Sequence, residues 1–387
     1  MKLLVISHAC VTPINQSFYV DVAEATGWEI ELVVPEVWAT EYKAGVRTER
    51  WPAFTGTLHT IPVFKPGNIP LHVYKSAMVG LLKQAHPDAI YMHHEPYGAA
   101  TMQVYMANRM AGNAPIGFYA AQNILKNYPP PFRWFERYVF GHSAFAFPVA
   151  PGALEVLREK GYKARAEVLP LPIDLEIYQR RPAWAAEKRR ELGIGAEEFV
   201  VGYLGRLVEE KGLASLFRAC AMLRGDWRCV LVGSGAFEPE LRRLTGELGI
   251  ADRIVVPGVV PHQEAPGGFS MFDVFALPSE TRPNWKEQFG RVIVEANACE
   301  TAVVGTESGE IGNVIRSTGG GVTVLEADSP ALAGAIQGMM DDPAKRFAMA
   351  AAGAHTARTI YDQRHLARHF ADTVEASVAE TRTKGKS

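Results

Sequence analysis

Short apolar runs alternate with longer amphipathic segments along most of the chain. The runs hold five to seven residues and are rich in Val, Ile, Leu and Phe, which is typical of strands buried on both faces of a sheet. The segments between them have the apolar period of helices. This alternation predicts βα units and parallel sheets. In the first half the predicted strands are 3–7, 30–34, 89–93, 116–121, 144–149 and 166–171, and the predicted helices lie near 16–26, 72–85, 98–111, 131–140 and 151–160.

The second half repeats the pattern. Three prolines and a polar run break the periodicity between the halves, at 169–182. We therefore predict an α/β chain of two doubly wound, Rossmann-like parallel-sheet domains, 1–171 and 172–360. We expect 361–387 to form a C-terminal helix that packs back toward the first domain and ends in a frayed basic tail. In the second half the predicted strands are 199–205, 228–233, 253–258, 274–278, 301–306 and 321–325, and the predicted helices lie near 212–224, 236–248, 291–299, 308–316 and 329–340.

Composition narrows the functional classes. The 387 residues are 48% hydrophobic and 21% charged, as in globular proteins, and the length suits two domains better than one. A formal net charge of −2 gives no general attraction to nucleic acid. The four cysteines form no paired motif, and no apolar run reaches the length of a membrane span. We expect a cytoplasmic protein with reduced cysteines, whose first apolar run is a strand and not a signal peptide.

Open α/β sheets bind ligands beyond the carboxyl ends of their strands, so the residues that follow each predicted strand are the first candidates for a site. Such residues also cap helices or bond loop backbone, and this alternative stays open for each one. Three loops with the same polar character favour a site. In the first half they carry Ser7 and His8, then His93, His94 and Glu95, then Gln122 and Asn123.

In the second half, a predicted strand runs into GRLVEEKG, where Arg206 and Lys211 lie on either side of a predicted helix entrance. Free N–H groups and the helix dipole favour an anion there, and two cations would hold a diphosphate. The alternative is a solvated pair of cations bonded to Glu209 and Glu210. The next strand ends in LVGSG, but Glu238 stands where a dinucleotide fingerprint needs its third glycine.

The stretch PNWKEQFGRVIVEA, residues 283–296, places Glu287 before a predicted helix and Glu295 about one turn inside it. Gly290 at the helix entrance permits a close approach of backbone N–H groups to a phosphate. A carboxylate beside a diphosphate would repel it, so both glutamates are better suited to accept hydrogen bonds from sugar hydroxyls. We infer a site for a nucleotide sugar, with Glu295 on the ribose and Glu287 on the other side.

Together with LVGSG, PSETRPNWKEQFGRVIVEANAC and SGEIGNVI, these motifs resemble the nucleotide-sugar domain of the retaining GT-B glycosyltransferases of family 4. HEP at 94–96 and LPID at 171–174 extend the resemblance over nearly the whole chain. The resemblance implies a GT-B fold, with two Rossmann-like domains facing a central cleft. It also implies transfer of a sugar from a nucleotide diphosphate to an acceptor hydroxyl, with retention at the anomeric carbon.

The resemblance assigns roles to single residues. Arg206 and Lys211 would bind the diphosphate, Glu287 the donor sugar and Glu295 the ribose. The residues implied in catalysis are Glu287, Arg206, Lys211, His94 and Gln122. The implied donor contacts are Arg206, Lys211, Gly258, Val259, Glu287, Phe289, Gly290, Arg291, Val292 and Glu295. The acceptor-side candidates are His8, Asn15, Gln16, His94, Glu95, Gln122 and Asn123.

Some positions depart from the family pattern. Asn15 and Gln16 stand where a Gly-Gly pair is common, and Gln122 with Asn123 stands where a histidine is common. Glutamine accepts a hydrogen bond from a sugar hydroxyl but cannot carry a proton, so the acceptor side differs from the usual one. Glu300 replaces the glycine expected after the helix at 291–299, at a cost of about 1 kcal/mol.

No Asp-x-Asp motif occurs, so we expect neither a metal nor a cofactor. The charge of the leaving group would then be met by Arg206, Lys211 and helix dipoles. The expected partners are a nucleotide-sugar donor and a glycan, lipid-linked or small-molecule acceptor, without nucleic acid; the oligomeric state stays open. PPPFRWFERYVF, at 129–140, is aromatic and basic. It fits either a peripheral membrane contact or packing against its own sheet, and we favour the second.

Two other functional classes compete with the transferase. One is another enzyme of the same architecture, such as a nucleotide-sugar epimerase or a phosphorylase, although the cofactor lysine site of a phosphorylase is not found. The other is a degenerate, non-catalytic nucleotide-sugar-binding subunit. The missing Gly-Gly pair and the missing histidine motivate this alternative. Neither the donor sugar and its base nor the acceptor follows from the sequence.

Overall fold

The chain forms two compact units, each around its own parallel sheet. The computed structural model describes residues 1–39 and 45–384, and for His262 and Lys384 the backbone alone. One unit holds Met1–Pro170 together with the chain from Gln363 onward, and the other holds Leu171–Asp362.

The first unit contains, within its described residues, a seven-stranded parallel sheet in the order β11-β10-β9-β8-β1-β2-β5. Two short antiparallel pairs, β3–β4 and β6–β7, lie outside it. The strands are β1 (Lys2–Ser7), β2 (Glu29–Pro35), β3 (Val37–Trp38), β4 (Val46–Arg47), β5 (Thr57–Ile61), β6 (Val63–Phe64), β7 (Val73–Tyr74), β8 (Ala89–His93), β9 (Ile116–Ala120), β10 (Phe145–Pro148) and β11 (Arg165–Ala166). The helices of this unit are α1 (Ser17–Thr26), α2 (Met78–Ala85), α3 (Ala99–Ala111), α4 (Phe132–His142), α5 (Pro151–Glu159) and α14 (Gln363–Lys384).

The strand order of this sheet reverses between β1 and β8, which are neighbours. The loops that follow two such strands lead to opposite sides and leave a crevice at the carboxyl edge of the sheet. Ser7 pairs with His93 in the last register position. His8 and His94 therefore leave the sheet side by side.

The second unit has a six-stranded parallel sheet, over residues 171–362, in the order β14-β13-β12-β15-β16-β17. This is the strand order of dinucleotide-binding folds, and it reverses between β12 and β15. The strands are β12 (Phe199–Leu204), β13 (Trp227–Val232), β14 (Ile254–Gly258), β15 (Val274–Leu277), β16 (Ala302–Thr306) and β17 (Gly321–Val324). The helices are α6 (Pro182–Glu191), α7 (Leu213–Cys220), α8 (Glu238–Glu247), α9 (Ala265–Ser270), α10 (Arg291–Ala298), α11 (Ile311–Thr318), α12 (Ser329–Asp341) and α13 (Pro343–Thr359).

The structure corrects several predicted elements. The strand predicted at 166–171 is wrong beyond Ala166, where β11 ends. The helix predicted near 72–85 begins only at Met78, because β7 occupies its first residues. Neither β5 nor α6 was predicted: β5 is a partly exposed edge strand, and α6 buries only Ala185 of its ten residues.

Helix α4 carries the aromatic segment, and only part of it is a core helix. Val139 is buried, and Tyr138 and Phe140 pack against the core of the first unit. Trp134 is 61% exposed, and Arg133 beside it is exposed as well. The favoured core interpretation therefore holds for the end of α4 but not for its first turns. Among the described residues, no helix is long and apolar enough to cross a membrane.

Candidate functional site

The point where the strand order of the second sheet reverses brings predicted donor residues together. The loop after β12 carries Arg206 and Lys211, and the loop after β15 carries Glu287. Lys211 Nζ lies 2.6 Å from Glu287 Oε2, and both side chains are nearly buried. Two residues that are 76 positions apart in sequence thus form one ion pair.

Two further side chains contact this pair. Ser279 Oγ donates to Glu287 Oε2 at 3.3 Å. The ammonium of Lys211 lies 5.0 Å from the centre of the Trp285 ring, a distance at which a cation is attracted to the ring face. Trp285 was not among the predicted residues, although it lies inside the PNWKEQFG stretch that drew attention to the site.

Arg206 contacts a glutamate of its own loop. Its Nη2 lies 3.7 Å from Glu210 Oε1, and its carbonyl accepts a 2.6 Å hydrogen bond from the Tyr203 hydroxyl. Pairing with neighbouring glutamates was the alternative weighed for both cations, and it applies here to Arg206 but not to Lys211. Arg206 is anchored through its backbone, while its guanidinium is about one-third exposed.

Two glycines hold the loops of this edge against each other. Gly212 has a φ of +64°, and a Cβ there would lie 1.9 Å from the carbonyl oxygen of Pro278. Gly309 has a φ of +57°, and a Cβ there would lie 2.0 Å from the carbonyl oxygen of Glu287. The Glu287 carbonyl accepts a hydrogen bond from the Glu310 amide at 3.1 Å. The backbone on both sides of the ion pair is therefore fixed by close contacts that exclude a side chain.

Helix α10 begins next to this pair. Gly290 caps the helix in the left-handed conformation, with a φ of +78°, and Phe289 before it is buried. The first turn of a helix leaves backbone N–H groups without intrahelical acceptors, and here that turn contains Arg291 and Val292. The entrance of α10 has the features that an anion requires.

Glu295 lies in the second turn of α10 and is 6% exposed. Its Oε1 is 3.0 Å from Arg291 Nε, and Tyr178 approaches it from the segment that leads into the second unit. Burial, and then the charge of Glu295, raises the pKa of Tyr178. Glu295 is therefore held in place by two neighbours, and Tyr178 is a residue that sequence motifs could not identify.

Gly258 and Val259 lie at the same carboxyl edge, after β14. The Gly258 carbonyl accepts a hydrogen bond from the Gly233 amide at 2.9 Å, and Val259 is 67% exposed. Their predicted place along the base of the nucleotide stays a prediction.

The equivalent reversal point of the first sheet holds a cluster of histidines. His8 Nδ1 lies 3.0 Å from His94 Nδ1, and the Tyr74 hydroxyl lies 3.3 Å from His94 Nε2. The ring of His72 packs at 5.0 Å from the ring of His94, and Trp38 packs at 4.9 Å from His8. His72 and Trp38 were not predicted, because His72 stands where a helix was predicted to begin and Trp38 lies in the short strand β3, four residues beyond the predicted strand 30–34.

Burial keeps these histidines neutral. Burial, and then the neighbouring His72 and His93, lowers the pKa of His8 to about 3. Burial lowers the pKa of His93 to about 4 and holds that of His94 well below its usual value. In a neutral His8–His94 contact, one ring donates and the other accepts. The cluster can therefore exchange hydrogen bonds at neutral pH without carrying charge.

His93, at the same edge of the first sheet, is hydrogen-bonded to side chains of the core. The hydroxyls of Ser7 and Tyr19 lie 3.3 Å and 3.2 Å from its Nδ1. Ser7 Oγ also accepts a hydrogen bond from the Cys10 amide at 3.2 Å. Ser7 and His93 therefore have structural partners, which is the alternative that was left open for each strand-end residue.

Glu95 and Gln122 lie beside each other in the next two loops. Glu95 Oε1 accepts a hydrogen bond from the Ala121 amide at 2.9 Å. Burial nevertheless raises the pKa of Glu95 to about 7. Gln122 Oε1 accepts from the Ile124 amide at 3.0 Å, so the oxygen expected to receive a sugar hydroxyl is already bonded. Its amide nitrogen is the group better suited to meet a ligand.

The remaining acceptor-side candidates have structural partners. Asn15 Nδ2 donates to the Ala9 carbonyl at 2.7 Å. Gln16 is fully buried; it donates to the Cys10 and Glu49 carbonyls and accepts from the Trp51 amide. Asn123 is buried as well. The two residues that replace a Gly-Gly pair thus tie their loop to neighbouring backbone, and their contact with an acceptor stays a prediction.

Comparisons with known proteins find similarity to glycosyltransferases. Residues 185–356 match the family model "Glycosyl transferases group 1". The chain is 34% identical over 202 residues to a GDP-mannose-dependent alpha-(1-6)-phosphatidylinositol monomannoside mannosyltransferase of Mycolicibacterium smegmatis. That match covers 51% of this chain and 53% of the relative, so the chain spans about half the length of the curated relative that it matches.

Solved structures extend the similarity to both units. Sucrose-phosphate synthase from Thermosynechococcus elongatus has a TM-score of 0.74 at 19% identity and covers 98% of this chain and 100% of its own. Anabaena HepE, solved in complex with UDP and glucose, has a TM-score of 0.73 at 20% identity and covers 97% and 100%. The predicted fold class is confirmed: two doubly wound α/β units of the GT-B type.

Proposed function

We propose that the chain is a retaining glycosyltransferase that moves a sugar from a nucleotide diphosphate donor to an acceptor hydroxyl without needing a metal ion. The Lys211–Glu287 pair beside the entrance of α10 carries this proposal. It lies where the strand order reverses, within the segment that matches the glycosyl transferases group 1 model. Membership of family 4 and retention of the anomeric configuration are part of this proposal. Both rest on the resemblance of the sequence motifs.

The donor diphosphate would bind at the entrance of α10, with Arg206 and Lys211 as its cations. In the free protein Lys211 is neutralised by Glu287. An incoming diphosphate offers the ammonium stronger and more numerous acceptors, which releases the Glu287 carboxylate to bind hydroxyls of the donor sugar. Glu295, held by Arg291 and Tyr178, would accept hydrogen bonds from the ribose.

Transfer requires that the charge on the departing diphosphate be met as the glycosidic bond breaks. The N–H groups of α10 and the two cations would meet it in place of a metal. Retention would follow from attack on the face that the leaving group departs from, with the departing phosphate helping to deprotonate the acceptor. The lack of an Asp-x-Asp motif motivates the metal-free part of the proposal.

The acceptor would bind at the reversal point of the first sheet, where His8, His94 and Glu95 lie. Neutral imidazoles accept hydrogen bonds from hydroxyls, and a carboxyl with a pKa of about 7 can hold or release a proton at neutral pH. We propose a cytoplasmic location, which the four free cysteines support, and the exposed Trp134 and Arg133 of α4 leave a peripheral membrane contact open.

A panel of nucleotide sugars tests the donor site. Each would be added to the protein in a thermal unfolding experiment, where a true donor at 100 times its dissociation constant adds about 2.7 kcal/mol to the free energy of unfolding. Lys211→Ala should abolish most of that gain, and Lys188→Ala, an exposed lysine of the same unit paired with Glu191, should keep it. Equal gains in both variants would contradict the assignment of the donor site.

Product analysis with the donor so identified tests the reaction. We expect a glycosylated acceptor with the anomeric configuration of the donor, formed equally well in EDTA. Conversion of the donor sugar without an acceptor would favour the epimerase alternative, and tight donor binding without turnover would favour a non-catalytic subunit. Loss of activity in EDTA that only a divalent ion restores would contradict the metal-free part.

A further inference from the structure

A second polar cavity lies in the second unit, away from the proposed donor residues. Its volume is about 260 Å³, and Asp273 and Thr301 in its lining directly precede β15 and β16. It therefore opens at the amino edge of the sheet. Arg206 and Glu287 follow the carboxyl ends of β12 and β15, at the opposite edge.

Arginines dominate the charge of this cavity. Arg180, Arg189 and Arg346 line it, and the carboxylates in its lining are Asp273 and Glu300. Three positive and two negative charges leave a net charge of +1. The cavity is therefore suited to an anion.

Arg346 has unused hydrogen-bonding capacity. It is 8% exposed, and its Nη1 donates to the Met339 carbonyl at 2.7 Å. Its Nη2 lies 3.7 Å from Asp273 Oδ1, which is too far for a hydrogen bond. The rings of Phe199 and Phe347 lie about 5 Å from the guanidinium and accept no normal hydrogen bond. Arg346 thus makes one hydrogen bond within the unit, and as a residue that lines the cavity it can donate further hydrogen bonds to a ligand there.

Arg180 is able to join Arg346 on such a ligand. Its Nη1 is 3.4 Å from Glu300 Oε2, a long contact at a half-exposed side chain. Glu300 keeps a shorter one, 3.0 Å, to Arg358. The Arg358 hydrogen bond, and then Arg180, hold the pKa of Glu300 below its usual value. Arg180 can therefore turn toward an anion while Glu300 remains paired.

Arg189 lines the cavity with a guanidinium that is held in place by hydrogen bonds. Its Nε and Nη2 donate to the Met271 carbonyl at 2.8 and 2.6 Å, and Nη2 also contacts Asp273 Oδ2 at 2.9 Å. Asp273 Oδ2 accepts in addition from the Val200 amide at 2.8 Å. Asp273 Oδ2 is thus held by Arg189 and by backbone.

We propose that this cavity binds a small phosphate-bearing anion, with Arg180 and Arg346 as its ligands. The planar fork of a guanidinium matches two oxygens of a phosphate, and two such forks match a dianion. The volume is below that of usual cofactor pockets, which fits a phosphate or a small phosphate monoester and not a nucleotide. The site is independent of the proposed transfer reaction.

The test measures binding of inorganic phosphate to the full chain by calorimetry at constant ionic strength. The wild-type protein should bind phosphate saturably, and Arg180→Gln should bind it about tenfold more weakly. The matched control is Arg224→Gln, which removes the same charge from an 83% exposed side chain of the same unit and should bind like the wild type. A hexose 6-phosphate should bind where the same hexose without phosphate does not, if the natural ligand is a monoester.

Two further variants separate the outcomes. Phe347→Glu places a carboxylate at a 58% exposed position of the cavity and should weaken phosphate binding, whereas Met222→Glu, at a 54% exposed position elsewhere in the unit, should not. Lys211→Ala should leave phosphate binding intact. Absence of saturable binding in the wild type, equal loss in Arg180→Gln and Arg224→Gln, or loss only in Lys211→Ala would each overturn the proposal. The last result would place the phosphate in the donor site.

Discussion

At the scale of single residues, Glu287 and Glu295 have different surroundings. Glu287 is paired with Lys211, a cation that the donor diphosphate would claim. Glu295 is paired with Arg291 on its own helix and approached by Tyr178. The difference in partners predicts a difference in function, because under the proposed donor binding only the partner of Glu287 would change.

We predict that Glu287→Gln leaves nucleoside diphosphate affinity at least as strong as in the wild type, since it frees Lys211. Turnover with the full donor should fall at least about tenfold, because an interaction that strengthens as the sugar becomes positive acts on the rate. Calorimetry with the diphosphate and steady-state kinetics with the donor measure the two effects. A loss of affinity without a loss of turnover would contradict the role assigned to Glu287.

We predict that Glu295→Gln weakens donor and free nucleoside diphosphate by the same factor. The substitution keeps the size of the side chain but removes a charge-assisted acceptor for the ribose, which is worth about 1.4 kcal/mol or roughly tenfold. The matched control is Glu198→Gln, a partly buried glutamate of the same unit that precedes β12 and pairs with Arg228. If Glu295→Gln and Glu287→Gln show the same profile in both assays, the division of roles is wrong.

The buried histidines predict a dependence of stability on pH. The pKa of His8 and of His93 is lowered to about 3 and about 4, so these groups stay neutral in the folded state while they charge in the unfolded state near 6.5. Their contribution to stability is fully present above pH 6.5 and is lost as the pH falls toward 4. Denaturant unfolding between pH 4 and 7.5 measures it, and His93→Asn should flatten the profile of the first unit.

Glu95 acts in the opposite direction. Its folded pKa, about 7, lies above that of an ordinary glutamate, so its contribution is full below about pH 4.5 and is lost as the pH rises through 7. We predict that Glu95→Gln raises the free energy of unfolding at pH 8 relative to pH 5 by up to about 3 kcal/mol. A pH-independent effect would mean that the carboxyl is ionised at ordinary pH and serves only as an acceptor for Ala121.

At the scale of elements, tight turns bring the loops after β12 and β15 together. Gly212 sits between the 3₁₀ turn Glu209–Lys211 and α7, where it touches the backbone of the loop after β15. Gly249 has nearly the same φ, +66°, but no atom within 4 Å of a Cβ built there. The two positions share the backbone cost of a left-handed residue and differ only in the contact.

We predict that Gly212→Ala and Gly249→Ala both lose about 1 kcal/mol of stability from the left-handed conformation. Gly212→Ala should in addition push the two donor loops apart, since its Cβ would lie 1.9 Å from the Pro278 oxygen. Nucleoside diphosphate affinity should therefore fall strongly in Gly212→Ala and stay unchanged in Gly249→Ala. Equal affinity in the two variants would show that the loops adjust to the methyl group.

Elements that contain a continuous apolar run were predicted well, whereas β5 and α6, which lack one, were missed. The five buried residues of β1 and the four of β15 read directly as strands. The edge strand β5 buries only Ile61, so its sequence has no continuous apolar run. Helix α6 has three basic residues in its last turn and buries only Ala185, so its sequence has no clear apolar face. The positions of this edge strand and this surface helix are decided by their neighbours in space, and the local sequence pattern does not show them.

At the scale of the whole molecule, the chain returns to its first unit. Helix α14 supplies Leu366, Phe370 and Val374 to the core that the residues before Pro170 build. Phe370 is fully buried, with its ring 4.8 Å from that of Phe147 and 5.1 Å from that of Tyr91. The last residues of the chain therefore help to fold the unit that contains the first ones.

We predict that Phe370→Ala destabilises the first unit by about 3–5 kcal/mol, as expected for a fully buried aromatic side chain. The second unit should keep its own stability, so thermal unfolding should separate into two transitions. Near-ultraviolet circular dichroism follows the loss of aromatic packing in the first unit. The matched control is Phe275→Ala, a fully buried phenylalanine of β15, which should lower the other transition instead.

The sequence by itself determined the fold class, the two sheets and the residues at the ends of their central strands. The spacing of apolar residues decides which segments become strands and which become helices. Because the strands are parallel, the loops that follow them lie at the same edge of the sheet. That is why His8 could be placed beside His94, and Arg206 and Lys211 near Glu287, before any coordinates were known.

Only the tertiary structure decided which of these residues bond to each other and what else joins them. The Lys211–Glu287 pair, the approach of Tyr178 to Glu295 and the packing of His72 on His94 link segments that are distant in sequence. The three arginines that line the polar cavity of the second unit also come from distant segments: Arg180 precedes α6, Arg189 lies on α6 and Arg346 lies on α13. Burial and pKa depend on every neighbour in space, and no local pattern in the sequence contains that information.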